Sequence, residues 1–189
     1  MIVDGAIDWG AGGPRPAATG FDIESRSKSI YEWVRQVRGG VLAGTFIVER
    51  HISAAIIHFI LGDRIRIAEV QEAFDAGLLG PLTFERRINV VALVAPHILA
   101  SHDAAALKVD LNELRSLRNA MAHNPFWFHP ELNEDGKVLN LVPMIMRGKA
   151  LQPLTTTFIE KVNAQISDLI EKTAALAAAA QLSSSPVAD

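Results

Sequence analysis

Arg118, Asn119 and His123 place a cation, an amide and an imidazole close together in the run Arg115-Ser-Leu-Arg118-Asn119-Ala-Met-Ala-His123-Asn124-Pro125-Phe126. A guanidinium is permanently charged and presents a planar fork of donors, which suits an oxyanion such as phosphate. An imidazole takes up and releases a proton near neutral pH, so it serves as an acid or a base. Arg115, one turn earlier, is a candidate for a further phosphate contact. Each residue also has a plainer role. Arg118 can satisfy helix-end carbonyls or pair with a carboxylate, His123 can be a C-cap side chain, and Arg115 can be a solvated charge. Asn119 either meets a substrate or orients His123, its neighbour four residues on along a helix. Orienting is the expected role.

These residues need a helix to hold them. Leu111, Leu114, Leu117 and Met121 recur at helical spacing and predict a core-facing stripe. Asp110 followed by Glu113 has the form of a capping box, so the helix is expected to open there, after a connector over 103–109. Pro125 disfavours helical geometry at Asn124 and places the stop near His123. At about 100° per residue, Arg118 borders the stripe, and Arg115, Ala122, Asn119 and His123 fan away from it. Arg118 and His123 therefore bound a polar sector rather than share a face. A second helix or a second subunit is needed to close a site across it.

The spacing R-x4-H, with Asn directly after the Arg, resembles the signature of the HEPN superfamily (higher eukaryotes and prokaryotes nucleotide-binding). The motif lies at a helix C-terminus in a mostly helical chain, after a Phe84-Glu-Arg-Arg-Ile-Asn-Val-Val segment similar to the preceding helix of that family. The resemblance covers the helix order from about Asp22 to Gln181, and Arg118–His123 is its specific part. It implies a metal-independent endoribonuclease, a toxin or defence component, with RNA as substrate and no cofactor. Arg118, Asn119 and His123 would be catalytic and Arg115 substrate-binding. RNA carries its own nucleophile in the 2′-hydroxyl, so the protein need supply only a base, an acid and a cation for the developing phosphate charge. The resemblance also implies a homodimer with two motifs facing one cleft, and an antitoxin or regulatory protein as a further partner. Mannitol operon repressor-like proteins are similar in the Gly80-Pro81-Leu-Thr-Phe-Glu-Arg segment followed by R-N-x3-H. That similarity implies the alternative, a catalytically silent regulatory or protein-interaction module. Outside the family, the alternative is a plain helical dimerisation module.

Composition bounds these readings. The 189 residues suffice for one well-buried domain, and 49% hydrophobic with 21% charged content is globular. A net charge of −3 excludes a general nucleic-acid coating protein but allows a local basic site. The chain has no cysteine, which excludes disulfides, thiol catalysis and thiolate zinc sites. No targeting segment and no run long and uncharged enough to span a bilayer is read, so a cytoplasmic location is expected. His51 and His58 share a helix face but lie two turns, about 10 Å, apart, too far for one metal. There is no Walker A, G-x-G-x-x-G or G-x-S-x-G motif.

The expected fold is an all-α up-and-down bundle with a small β-hairpin before the last helix. Residues 1–20 form a flexible arm, 21–182 the helical domain and 183–189 a tail. Gly39-Gly40 divides a first helix, Asp22 to Arg38, from a second, Thr45 to Leu61. A short helix follows over Glu69 to Ala76. Thr83 caps a long one reaching about Ser101, kinked or split at Pro96. Asn133-Glu-Asp135-Gly136 is turn chemistry between Phe126-Trp127-Phe128 and the apolar run Val138 to Met146. Pro143 weakens that second strand. Trp127, Phe128 and His129 are expected in the core, with base stacking as the lesser alternative. Thr157 and Glu160 read as the capping box of a last helix ending near Gln181.

Overall fold

The computed structural model describes residues 23–62 and 68–183. The expected N-terminal arm and all of the tail after Ser183 lie outside them. The described chain is mostly helical, with a small three-stranded antiparallel sheet before the last helix. In order, the elements are α1 (Ile23–Leu61), α2 (Ala68–Phe74), a π-helical turn (Asp75–Leu79), α3 (Phe84–Val94), a 3-10 turn (Ala95–His97), α4 (Ser101–His123), β1 (Phe126–Leu132), β2 (Val138–Arg147), β3 (Ala150–Pro153) and α5 (Thr156–Ser183).

The two helices expected on either side of Gly39-Gly40 are a single helix of 39 residues. Ile30, Val34, Val37, Val41, Val48, Ile52 and Ile56 are all buried, so one apolar stripe runs through the glycines without a break. Two interior glycines cost about 1 kcal/mol each relative to alanine. Burying a single Val or Ile offers roughly 1.5–3 kcal/mol, so the stripe outweighs the glycines. The joined helix also supplies a long apolar run that was not read from the sequence. Arg26–Leu61 contains a window apolar and long enough to cross a bilayer by composition, and 56% of that window is buried inside the protein, as in a core helix.

The chain groups into two compact units, and α1, α4 and α5 each contribute residues to both. The first comprises residues up to Ala43 and Ser116–Ser167, including the whole sheet. Its core draws on Ile30, Val34 and Val37 of α1, Leu117 and Met121 of α4, Ile145 of β2, and Val162 and Ile166 of α5. The second comprises Gly44–Arg115 and the chain from Asp168. Its core draws on Ile52 and Ile56 of α1, Ile88 and Val91 of α3, Leu111 and Leu114 of α4, and Leu169 and Leu176 of α5.

Helix α4 opens at Ser101, so Asp110 is an interior residue and not an N-cap. Ala104 and Leu107 are buried and extend the stripe of Leu111 and Leu114 backwards, through an alanine-rich stretch of high helix propensity. Asp110 instead accepts from Lys172 of α5 at 3.1 Å, and Lys172 also pairs with Asp168 at 2.7 Å. Helix α3 is capped by Thr83, whose hydroxyl accepts from the Arg86 N–H at 3.3 Å. It ends at Val94, and Pro96 sits in the 3-10 turn that follows. The hydroxyl capping α5 belongs to Thr155, which accepts from the Phe158 N–H at 3.1 Å, so the Thr157/Glu160 pair is already helical.

The hairpin gains a third strand, giving the order β1-β2-β3. Asn133 accepts from Gly136 and Lys137 in the first turn, where Gly136 has φ 76°. Pro143 lies in the central strand, opposite Phe128. The Leu154 N–H donates to the Pro143 carbonyl at 2.8 Å, so Pro143 turns its backbone towards the β3 side, beyond the β3 ladder, which pairs Met144–Arg147. Its missing N–H therefore takes nothing from the pairing with β1.

Candidate functional site

Helix α4 ends at His123, where Pro125 was expected to stop it, and the Asn124 N–H closes the last turn on the Ala120 carbonyl at 3.0 Å. The apolar residues Leu117, Ala120 and Met121 are buried, which turns Arg118, Asn119 and His123 outwards. The Asn119 and His123 side chains are exposed and Arg118 is half-buried. The Arg118 Nη1 donates to the Asn119 Oδ1 at 3.3 Å. That amide therefore engages the guanidinium, and the imidazole it was expected to orient makes no hydrogen bond or ion pair among the described residues.

Arg115 belongs to the other unit. Its Nη1 stands 2.6 Å from the Glu85 Oε1 of α3. This ion pair with an exposed carboxylate is what the structure shows of Arg115. Arg118, Asn119 and His123 are thus the part of the motif that one compact unit presents together.

Sequence reasoning missed the residue that secures this helix end. Arg38 of α1 donates from Nη2 to the Asn124 carbonyl at 2.9 Å, and its guanidinium carbon lies 4.5 Å from the Phe126 ring centroid. A cation at a helix C-terminus opposes the partial negative charge of the unpaired carbonyls, and its stacking on an aromatic face adds attraction. Asn124 in turn donates from Nδ2 to the Met146 carbonyl at 2.6 Å, which ties the helix end to β2. No signal marked Arg38 while Gly39-Gly40 was read as a helix stop. Asn124 was legible only as the residue before Pro125.

The sheet brings two more cations to the same end. Asn124 contacts Met146, and Arg147 and Lys149 come immediately after, around the turn where Gly148 has φ 64°. Neither Arg147 nor Lys149 forms an ion pair or hydrogen bond among the described residues. On β1, Trp127 is 42% and Phe128 36% exposed, and His129 is exposed, so these aromatics are not the core residues they were expected to be. Trp127 and His129 are on the face of this edge strand turned from the core, and Phe128, opposite Pro143, is on the core side but at the free edge of the sheet.

A cleft of about 520 Å³ lies in the other unit, between the Phe46–His58 stretch of α1 and the α2–π segment. It is lined by Arg50, His58, Glu72, Asp75 and Arg87, among others, and by none of the motif residues. Arg87 closes its base by donating to the Ser53 hydroxyl and to the Leu79 and Leu82 carbonyls. Burial pushes the His58 imidazole below its ordinary pKa, and its Nδ1 has no hydrogen-bond partner among the described residues. His51 donates or accepts through Nδ1 with the Thr173 hydroxyl at 3.2 Å. That hydroxyl already donates to the Leu169 carbonyl at 2.7 Å, so the pairing requires the proton on Nδ1. Among the described residues no group of three or more His, Asp or Glu is placed to hold a metal ion.

No protein-family model, curated protein or solved structure matches the chain.

Proposed function

We propose that this protein is a HEPN-like endoribonuclease, built as an up-and-down helical bundle and acting as a homodimer. The observation that carries the reading is the α4 C-terminus. It presents an unengaged imidazole at His123 and the Arg118 guanidinium on either side of a polar sector, on a helix end held by Arg38 and Asn124. In this reading an imidazole takes the proton of an RNA 2′-hydroxyl as that oxygen attacks the adjacent phosphorus. The bond to the 5′-oxygen breaks, and an imidazole returns a proton to the leaving oxygen. Arg118 stabilises the charge that builds on the non-bridging oxygens. The products are a 2′,3′-cyclic phosphate and a 5′-hydroxyl. A dimer that brings two motifs together supplies one imidazole for each proton transfer.

Incubation of purified protein with structured and single-stranded RNAs in EDTA tests this. Cleavage with the stated end groups is expected, reduced about 10²–10⁴-fold by His123→Ala. Arg118→Ala should lower both binding and turnover, and Arg118→Lys should recover only part because the planar fork is lost. Equal cleavage by wild type and His123→Ala would assign the activity to a contaminant.

One observation favours a second reading. The motif sits on an open helix end, and the cleft described above lies elsewhere. A regulatory or protein-interaction module would use Arg118 and His123 as contacts, without turnover. Absence of cleavage by any preparation, with binding to a protein partner that Arg118→Ala abolishes, would favour it.

A further inference from the structure

We propose that the β1–β2 face carrying Trp127 and His129 is a stacking platform for the unpaired bases of single-stranded RNA, which lies across the sheet at the end where α4 stops. The inference rests on the ribonuclease reading for its role beside His123, but not for the binding itself.

Trp127 pairs with Met144 and His129 with Val142. Directly opposed residues of antiparallel strands share a face, so these four form one surface. Its two rings are exposed, and Val142 and Met144 beside them on the neighbouring strand are half-buried. The opposite face holds Pro143 and Ile145, both buried, and is the side that meets the core. Trp127 follows His123 by four residues, so it lies within about 14 Å of it even at full extension. Bases stack on aromatic rings whatever their sequence, provided they are not already stacked in a duplex.

Charge polarises the sheet along its length. The cations Arg147 and Lys149, unpaired among the described residues, lie at the α4 end. Glu131, Glu134 and Asp135 lie at the other together with Lys137 and Arg26, which donates to Asn140 at 3.5 Å, so that end keeps a small net negative charge. A polyanion is drawn to the first end in preference to the second. A protein strand added to the free edge of β1 fits less well. Pro143 faces β3, so Val142 and Met144 face β1, and their partners Trp127 and His129 turn their backbone groups inwards. Phe126, Phe128 and Pro130 are left facing outwards, and Pro130 has no N–H to offer. The edge provides donors at Phe126 and Phe128 alone before the proline interrupts it.

Fluorescence anisotropy with a labelled 2′-O-methyl oligonucleotide tests the platform, because that probe lacks the nucleophile and cannot be cleaved by 2′-attack. The single strand should bind more tightly than the same strand annealed to its complement. Trp127→Ala should weaken single-strand binding about 5- to 150-fold for one stacked base, from roughly 1–3 kcal/mol per base. Trp127→Phe should keep most of the affinity, and circular dichroism controls for folding. Replacing Arg147 and Lys149 together by Ser should reduce the slope of log affinity against log salt by up to about 1.4, at ~0.7 per phosphate contact. No binding, equal binding of duplex and single strand, or affinity unchanged in Trp127→Ala would each overturn the platform. Trp127-dependent binding without cleavage of unmodified RNA would instead support the platform and overturn the ribonuclease reading alone.

Discussion

The Arg38 guanidinium makes one charged hydrogen bond to the Asn124 carbonyl and one ring contact to Phe126. Charged hydrogen bonds contribute roughly 1.5–3 kcal/mol when partly buried. Arg38→Ala should therefore lower stability by about 1–3 kcal/mol in urea denaturation and reduce cleavage by loosening the terminus that bears His123. Arg38→Lys should regain the charge without the fork and recover stability only in part. An unchanged urea midpoint for Arg38→Ala would mean that the clamp contributes nothing. Arg115 has the opposite expectation. Its partner Glu85 is 62% exposed, so breaking the pair should cost less than about 1 kcal/mol, and Arg115→Ala should leave cleavage near wild type. A loss comparable to that of Arg118→Ala would return Arg115 to the substrate.

Helix continuity through Gly39-Gly40 can be tested at the element scale. A Cβ added at Gly39 meets no atom within 4 Å, and Gly39 lies inside a helix. Gly39→Ala should therefore stabilise the protein by about 0.4–1 kcal/mol, chiefly by restricting the unfolded chain. A loss of stability would mean that the glycines break the helix after all. What the sequence made legible follows the strength of its periodicity. The helical character, the α4 end at His123, the Thr83 cap and the turn at Gly136 could be read because each depends on neighbours in the chain. The boundaries at Gly39-Gly40 and Asp110 were misread because burial along a long stripe overrides a local stop or cap signal. The third strand was missed because Ala150–Pro153 is too short to show alternation. At the site, Arg118, Asn119 and His123 were legible as a triplet. Arg38, 86 positions from Asn124 in the chain, was not, since only folding brings the two together.

At the scale of the whole molecule, light scattering at micromolar concentration should give the mass of a dimer, and a monomer would remove the shared-cleft arrangement. The pH dependence of stability should show a plateau with two declines. Burial depresses the His58 pKa in the fold, so its contribution is complete above the ordinary value of 6.5 and is lost as pH falls through the lower folded value. His58→Leu should flatten that acid decline in thermal denaturation. Lys172 runs the other way. Hydrogen bonds to Asp168 and Asp110 raise its pKa, so its contribution is complete below 10.5 and is lost as pH rises through the folded value. With Lys172 46% exposed, that second decline should be small. The proline on the outer strand has a consequence for solubility. Trp127, Phe128 and Leu132 are exposed apolar residues on an otherwise open strand, a composition that invites chains to stack edge to edge into fibrils. Pro130 withholds a donor in the middle of that row. Pro130→Val should therefore leave the fold intact yet shorten the lag before thioflavin-positive aggregates form in concentrated samples, and an unchanged lag would show that the edge is protected by something other than the proline.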